Sequence, residues 1–437
     1  MNTSNYIGII ADDLTGANDT SLQFYLRGCK TQVTFGSDLA IDEELNTEVF
    51  ALSTESRNVS VEVAKERVSK AATDIFKKYH FEYLYKKIDS VLRGNVAVEI
   101  LTLVDVMGFD AAVIFPAFPS EGRTTIGGYQ LVKGIPLQRT EFSRDPSSPI
   151  LESNILNLLR SQLVDEKVDD VVDLISLDIV MKGAGPILTR LNELISKGKK
   201  LIVADAVSST DLEQIALAIK KSTFKILPSG SAGAAQALGK IWHPEVKENL
   251  ESDKIVLPHL PKLVVSGSAT ELTASQIKRL QENADIENTY FIAVKPENIF
   301  SNDCEMLGQR ILNNLNKTNT VIIHSSELIE NVEELNGLLL ENEITKEMFI
   351  SKICDYLAAV TRYVVSRTKV ILITVGGETS YKALRAIGCN NMRIVDTVAP
   401  AIPLGISHNE QFIVTKSGNL GTQNTIVEIV RYFEQDV

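Results

Sequence analysis

The sequence predicts two α/β domains, each a mostly parallel sheet flanked by helices, and three observations predict them. Over residues 1 to about 240, short apolar runs alternate with amphipathic stretches, the rhythm of a parallel sheet covered by helices. Between Trp242 and Pro261 the rhythm stops in a segment holding Pro244, Pro258 and Pro261, many charges and little apolar periodicity. Beyond it the alternation restarts. A chain of 437 residues is also too long for one ordinary core and implies two or three domains. The expected division is a first domain over 1–245, a linker over 246–261 and a second domain over 262–437.

Taken in order, Tyr6–Ala11 reads as a buried strand, followed by a helix reaching Arg27. Further strands are expected at Thr31–Phe35, Val49–Ser53, Tyr83–Lys87, Ala111–Phe115, Leu201–Ala204 and Lys225–Leu227. Helices are expected at Val61–Tyr79, Val96–Met107, Ile187–Lys197 and Asp211–Lys221, where apolar residues recur at helical spacing. The stretch Phe118–Pro149 carries Gly-Gly, Gly-Ile-Pro and Asp-Pro breakers, which predict a hairpin or lid-like excursion. After the linker, strands are expected at Leu263–Ser266, Tyr290–Val294, Val321–His324, Val370–Val375, Arg393–Asp396 and Phe412–Thr415. The acidic segment Glu327–Glu347 reads as a solvated helical face or surface insertion.

Composition narrows the function. Hydrophobic residues make up 44% and charged residues 23% of the chain, as in a soluble globular protein. A net charge of −12 disfavours nucleic-acid or anionic-membrane partners, which want a basic face. Cys29, Cys304, Cys354 and Cys389 show no CxxC spacing, and the five histidines show no HExxH pairing, so neither a zinc site nor a disulfide framework is indicated. With no export signal and no long apolar run, a cytoplasmic protein is the expectation. There is no GxxxxGK[ST], no GxSxG and no GxGxxG after the first strand, which sets aside a P-loop NTPase, a serine hydrolase and a dinucleotide fold.

Chemistry concentrates behind the strands, where open α/β sheets bind their ligands. Asp12 and Asp13 follow the first strand, Thr54-Glu55-Ser56-Arg57-Asn58 follows Ser53, and Asp89-Ser90-Val91-Leu92-Arg93-Gly94-Asn95 follows the Tyr83–Lys87 strand. If these strands are parallel, the three loops open on one edge. Arg57 and Arg93 then suit bidentate capture of a carboxylate. Asp12, Asp13 and Asp89 suit receipt of hydroxyl protons or a metal, although one of the Asp pair also suits a helix cap. In the second half, Ser266-Gly267-Ser268-Ala269-Thr270, Gly376-Gly377-Glu378-Thr379 and Ser417-Gly418-Asn419-Leu420-Gly421-Thr422 each join a strand to a helix. Three such turns suggest a nucleotide's phosphates, because helix starts offer free N–H groups. Ser229-Gly230-Ser231-Ala232-Gly233 looks similar but reads as a close-packed helix start.

Six motifs in order carry a resemblance. Ile10-Ala11-Asp12-Asp13-Leu14-Thr15-Gly16-Ala17-Asn18-Asp19, Lys86-Lys87-Ile88-Asp89-Ser90-Val91-Leu92-Arg93-Gly94-Asn95 and Pro116-Ala117-Phe118-Pro119-Ser120-Glu121-Gly122-Arg123-Thr124 form the first three. Ser266-Gly267-Ser268, Gly376-Gly377-Glu378-Thr379 and Lys416-Ser417-Gly418-Asn419-Leu420-Gly421 complete the set. Together they resemble the four-carbon acid sugar kinase family across essentially the whole chain. The resemblance implies a sugar-acid-binding domain, a nucleotide-binding domain and an active site in the cleft between them. It implies ATP-dependent phosphorylation of the terminal C4 hydroxyl of D-threonate or D-erythronate. A 3-oxo-tetronate kinase of the same family, or a non-catalytic sugar-acid or nucleotide sensor, is the alternative; the segment 122–146 is most like the threonate-kinase branch.

By the same resemblance, substrate contacts fall on Asp12, Asp13, Arg57, Asp89, Ser90, Val91, Leu92 and Arg93. Asp13 or Asp12 would orient or deprotonate the hydroxyl, with Asp13 favoured. ATP contacts fall on Ser266, Gly376, Gly377, Glu378, Thr379, Gly418 and Gly421, with Lys416 a phosphate candidate on position alone. Mg2+ is expected with ATP, its protein ligands unassigned. The expected partners are a small-molecule sugar acid and ATP, not nucleic acid or membrane; the oligomeric state is open, and a homodimer is one state allowed.

Overall fold

A computed structural model describes residues 7–36, 47–79, 81–145, 148–163, 171–243, 256–268, 270–283, 288–301, 303–330 and 332–434. The chain separates into two compact units, residues 1–250 and 251–437. Residues 246–255, most of the expected linker, lie outside the described residues. Among the described residues no helix is long and apolar enough to cross a membrane.

The described residues of the first unit form a sheet of β1 (Ile7–Ala11), β2 (Thr31–Phe35), β3 (Val49–Ser53), β4 (Tyr83–Lys87), β5 (Ala111–Phe115), β9 (Val172–Ile175), β10 (Leu201–Ala204) and β11 (Ile226–Gly230). Their order across the sheet is β2-β3-β1-β4-β11-β5-β10-β9. Each of these pairings is parallel. β1 is Ile-Gly-Ile-Ile-Ala, buried at all five positions, as a strand covered on both faces must be. The chain lays β2 and β3 to one side of β1 and then returns to place β4 on the other. The order therefore reverses between β1 and β4, the switch point where such sheets bind ligands.

Helices α1 (Leu14–Tyr25), α2 (Val61–Ala71) and α3 (Val96–Met107) supply the cover nearest that point. α3 matches its expected span; it stops where Gly108 takes a left-handed backbone. The single helix expected over 61–79 instead ends at Ala71 and continues as one wider turn over Ala72–Phe76. One core cluster joins Ile10, Leu52, Leu84, Ile114 and Val203 of the strands and loops to Val68, Ile100 and Leu103 of the helices. Each fully buried side chain of this size contributes about 1.5–3 kcal/mol. The Ser231 hydroxyl caps the helix Ala232–Trp242 by accepting from Gly233 and Ala234 N–H. A Cβ on Gly230 would come within 2.5 Å of the Phe115 carbonyl, so this segment is the close-packed helix start that its sequence suggests.

The excursion after β5 is an antiparallel ribbon of β6 (Arg123–Ile126), β7 (Tyr129–Val132) and β8 (Ile135–Pro136). Buried Asp205 ties it down. Its carboxylate accepts from Gly127 N–H at 2.7 Å, Gly128 N–H at 2.9 Å and Leu177 N–H at 3.0 Å. Asp205→Ala, which strips three donors of their acceptor, is expected to destabilise the protein by about 3 kcal/mol and to open the ribbon to limited proteolysis. A urea midpoint equal to that of the unmodified chain, with no new cleavage in 118–149, would sink that expectation.

The second unit contains β12 (Lys262–Ser266), β13 (Thr289–Ala293), β14 (Thr320–His324), β15 (Ile371–Val375), β16 (Asn391–Ala399), β17 (Ile402–Ser407) and β18 (Phe412–Lys416). Their order is β13-β14-β12-β15-β18-β17-β16. The first five in that order are mutually parallel, and β17 pairs antiparallel with both β16 and β18. Here the order reverses between β12 and β15. The acidic segment contains helices Glu327–Glu330 and Val332–Glu341 and buries Leu335, so it is not solvated throughout.

Candidate functional site

Three loops meet at the switch point of the first unit. The loop after β3 folds onto the end of β1: Thr54 N–H bonds the Ala11 carbonyl, and Ser56 N–H bonds the Asp12 carbonyl. This aims Arg57 at the acidic pair. Its Nε donates to Asp12 Oδ2, and its two terminal nitrogens donate to the two oxygens of Asp13, all at 2.7 Å. The loop after β4 locks against the same residue. Asn95 Nδ2 donates to the Ser56 and Val59 carbonyls. Gly94 has φ +87°, and a Cβ there would lie 2.9 Å from Arg57 Cγ, so both its backbone and its missing side chain are required. Arg93 donates through Nε to Asp89 at 2.6 Å and through a terminal nitrogen to Asp145 at 3.0 Å.

The two aspartates at the end of β1 differ in what they have left. Asp13 caps α1 by accepting from Gly16 N–H at 2.9 Å, and it also accepts from the Thr15 hydroxyl at 2.7 Å. With Arg57 on both oxygens it is fully engaged. Asp12 uses Oδ2 for Arg57, while its buried Oδ1 has no hydrogen-bond partner among the described residues. The helix cap thus falls to Asp13, and Asp12 keeps one carboxylate oxygen that no described residue engages. Val91 and Leu92 sit in the hydrophobic core, so their side chains do not join the site; Ser90 is half-buried and its carbonyl accepts from Gln130 of the ribbon at 2.7 Å.

Adjacent lysines end β4, and successive strand residues face opposite sides of a sheet. Lys86 is buried against Glu99 of α3 at 2.6 Å. Lys87 goes to the α1 side, where a Cβ on Gly16 would meet both its Nζ and Asp13 Oδ1. Burial alone would raise the Asp12 carboxyl, but Arg57, with Lys86 and Lys87 behind it, holds it below the usual range. Burial likewise opposes the Asp89 charge, and Arg93 and Arg57 overcome it and keep Asp89 well below the carboxylate norm. Two further carboxyls go the other way: burial pushes Asp19 up to about 7 and Glu55 up to about 8. Glu55 also holds a left-handed backbone at φ +49°.

The second unit presents its turns at the β12/β15 switch point. Ser266 ends β12 fully buried, and its hydroxyl has no hydrogen-bond partner among the described residues. Gly376, at φ +109°, follows β15 and donates its N–H to the Lys416 carbonyl of β18 at 2.8 Å; a larger residue would be strained there. Gly377 begins the helix Gly377–Ala386, so the N–H groups of Gly377, Glu378 and Thr379 lie in its first turn, where no intrahelical acceptor exists. The Glu378 carboxylate pairs with Lys382 at 3.0 Å, and Thr379 is buried beside Cys354. The Gly418 carbonyl accepts from the Thr270 and Thr273 hydroxyls, both at 3.0 Å, which binds the third turn to the first. Gly421 lies further along, at φ +90° beside Thr425. Ala269 lies outside the described residues.

These two arrangements coincide with two family models. Residues 7–238 match a sugar-binding N-terminal domain, and residues 263–426 match a nucleotide-binding C-terminal domain. A D-erythronate kinase of Heliobacterium modesticaldum is 31% identical, over 97% of this chain and 96% of the relative. The chain belongs to the four-carbon acid sugar kinase family. A second member, a D-threonate kinase of Salmonella typhimurium, is 29% identical over 98% of each chain. The family fold recurs in a crystal structure of a Haemophilus influenzae protein described as DUF1537. It has a TM-score of 0.69 and 24% identity and covers 98% of this chain and 99% of that one. This member of the family is a carbohydrate kinase.

Sequence reasoning missed Asp145 and Gln130 as parts of the first-unit site, although both lie in the excursion it singled out. The Asp-Pro pair at 145–146 was the available signal, since such a pair marks a turn, but nothing in the sequence linked that turn to Arg93.

Proposed function

We propose that this kinase transfers the γ-phosphate of ATP to the C4 hydroxyl of a four-carbon sugar acid, with D-threonate and D-erythronate the preferred acceptors. The observation that carries the reading is the Arg57-clamped pair Asp12 and Asp13 at the switch point of the half matching a sugar-binding domain. The relatives named for these two acids, at 29% and 31% identity, support the substrate class. Arg57 and Arg93 each use three of their five N–H donors on carboxylates. The remaining two on each suit a substrate carboxylate or hydroxyl. Asp12 Oδ1 then accepts the hydrogen bond of the reacting hydroxyl, orients it and takes its proton as the new O–P bond forms and the bond from the γ-phosphorus to the departing ADP breaks. The chemistry asks for positioning and charge neutralisation rather than a covalent intermediate.

In the second unit, the first-turn N–H groups of Gly377, Glu378 and Thr379, with the Ser266 hydroxyl and the turn Gly418–Gly421, would hold the phosphates. Among the described residues no three His, Cys, Asp or Glu side chains gather into a set able to hold a metal ion. A Mg2+ ion would arrive with the phosphates and keep several of its waters, and its charge would offset theirs.

A coupled ADP-release assay across four-carbon acids tests the proposal. D-threonate or D-erythronate is expected to give a kcat/KM of about 10⁴ M⁻¹s⁻¹ or more, well above other acids. ADP release with 3-oxo-tetronate alone would move the assignment to that branch, supported at present by a relative of that name at 27% identity. Ligand binding without any ADP release would leave a sensor.

A further inference from the structure

We propose that Lys416 is the buried cation that grips the polyphosphate of the bound nucleotide, and that it takes up a proton from solvent when the polyphosphate arrives. The inference rests on the reading of the second unit as nucleotide-binding and adds to it a charge and a proton. Lys416 ends β18 and is completely buried. A buried ammonium is costly unless a counter-ion sits beside it. Other buried or half-buried lysines of the two units have one: Lys86 pairs with Glu99, Lys262 with Glu434, and Lys382 with Asp355 and Glu378. Buried Lys87 lies in the field of Asp12, Asp19 and Asp89. Lys416 makes no ion pair among the described residues. Its Nζ turns back to the Ser417 carbonyl at 2.9 Å, at the base of the turn running to Gly421.

Its surroundings supply no charge. β15 on one side is Ile-Leu-Ile-Thr-Val and β17 on the other is Ile-Pro-Leu-Gly-Ile-Ser, with no acidic or basic residue in either. The rest of β18 is Phe-Ile-Val-Thr. The helix Gly377–Ala386 packs on the same strand and carries Glu378, Tyr381, Lys382 and Arg385. Glu378 and Lys382 satisfy each other, and Arg385 bonds Asn390. Burial alone, with no compensating partner, pushes the Lys416 amine down to about 7. A group in that condition is mostly neutral above neutral pH, and an arriving phosphate supplies the missing anion. The amine then becomes an ammonium by binding one proton, no other bond changes, and the phosphate keeps its charge.

Placement makes the polyphosphate the fitting anion. The Lys416 carbonyl is bonded to Gly376 N–H, so the lysine sits where the second and third glycine turns meet, and the first reaches the third through the Gly418 carbonyl. Its loss should therefore be felt by nucleotides in proportion to their phosphates and not by a nucleoside.

Calorimetric titration of the full chain with ADP at pH 8, in two buffers of different ionisation enthalpy, tests this with adenosine as the control. The expected result is uptake of about one proton per ADP and almost none with adenosine. Lys416→Met should weaken ADP by about 30-fold or more, leave adenosine unchanged and abolish the uptake. Because the variant removes a buried charge that has no partner in the free protein, its melting temperature at pH 6 should equal or exceed that of the unmodified chain. A lower melting temperature, or failure to fold, would mark Lys416 as a structural residue and overturn the proposal. ADP binding with no proton uptake in the unmodified chain would overturn it too, as would equal ADP affinity in the variant. If the unmodified chain binds neither ADP nor ATP, it is the nucleotide assignment of the unit that fails.

Discussion

Asp12→Asn will lower kcat by about 10³-fold while leaving KM for the sugar acid within a few-fold, the pattern of losing a proton acceptor used only at the reacting centre. Asp13→Asn will behave differently. Its remaining oxygen still caps α1 through Gly16 N–H, but the amide turns a donor toward Arg57, which in the unmodified chain finds an acceptor on both Asp13 oxygens. Arg57 loses its seat, so KM should rise and stability should fall by about 1–3 kcal/mol. Steady-state ADP release and urea unfolding on both variants separate the roles. A larger kcat loss for Asp13→Asn than for Asp12→Asn would reverse the assignment. The pH profile adds a second test. Burial opposes the Asp12 charge, but Arg57 outweighs it and keeps the carboxyl below its ordinary range. The acid limb due to Asp12 therefore belongs below about pH 4, and an Asp12-dependent limb near neutrality would contradict this geometry.

Lys86→Met will destabilise the protein by about 3–5 kcal/mol, because it leaves Glu99 buried without its cation. The pair is 2.6 Å apart, and its side chains are 0% and 2% exposed. Even with Lys86 present, burial keeps the Glu99 carboxyl above its usual range. The double variant Lys86→Met, Glu99→Leu removes both charges together and should recover most of the loss, to within about 1 kcal/mol of the unmodified chain. A double variant as unstable as the single one would show that the pair holds the fold by more than mutual neutralisation. Because Lys86 also helps keep Asp12 ionised, the single variant Lys86→Met should also have its acid limb moved upward.

What the sequence revealed about the fold follows from local signals. The expected span of α3 matched because one apolar run lies between Asn95 and a glycine able to end it, and β1 to β5 stand out as apolar runs of strand length. β17 carries Pro403 and Gly405, both weak strand formers, although proline is tolerated in a strand where its missing N–H goes unused. The short β9, Val-Asp-Leu-Ile, alternates too briefly to be seen. The antiparallel β16–β17–β18 edge departs from the parallel pattern because a hairpin needs no crossover helix. For the site, polar loops behind parallel strands could be named in advance. Which member of a carboxylate pair is consumed by a cap, and which buried lysine lacks a partner, depend on contacts between residues far apart in sequence, such as Arg57 with Asp12 and Asp13, or Lys86 with Glu99.

The two lysines that close β4 have a consequence for how the strand finds its place. Slipping β4 by one residue against β1 would exchange its faces, sending Lys86 to the α1 side and Lys87 toward α3. The slip that brings Tyr85 into the place of Lys86 takes from Glu99 the ammonium it meets at 2.6 Å, and the aromatic contact of Tyr83 with Trp242 on the other face, at 4.7 Å between ring centres, is lost in the same move. A strand misaligned in that direction is thus rejected by charge as well as by hydrophobic mismatch. The cations that tune the acidic pair also act as a proofreading device during folding, and a chain that has assembled this sheet in the wrong register cannot have assembled the site.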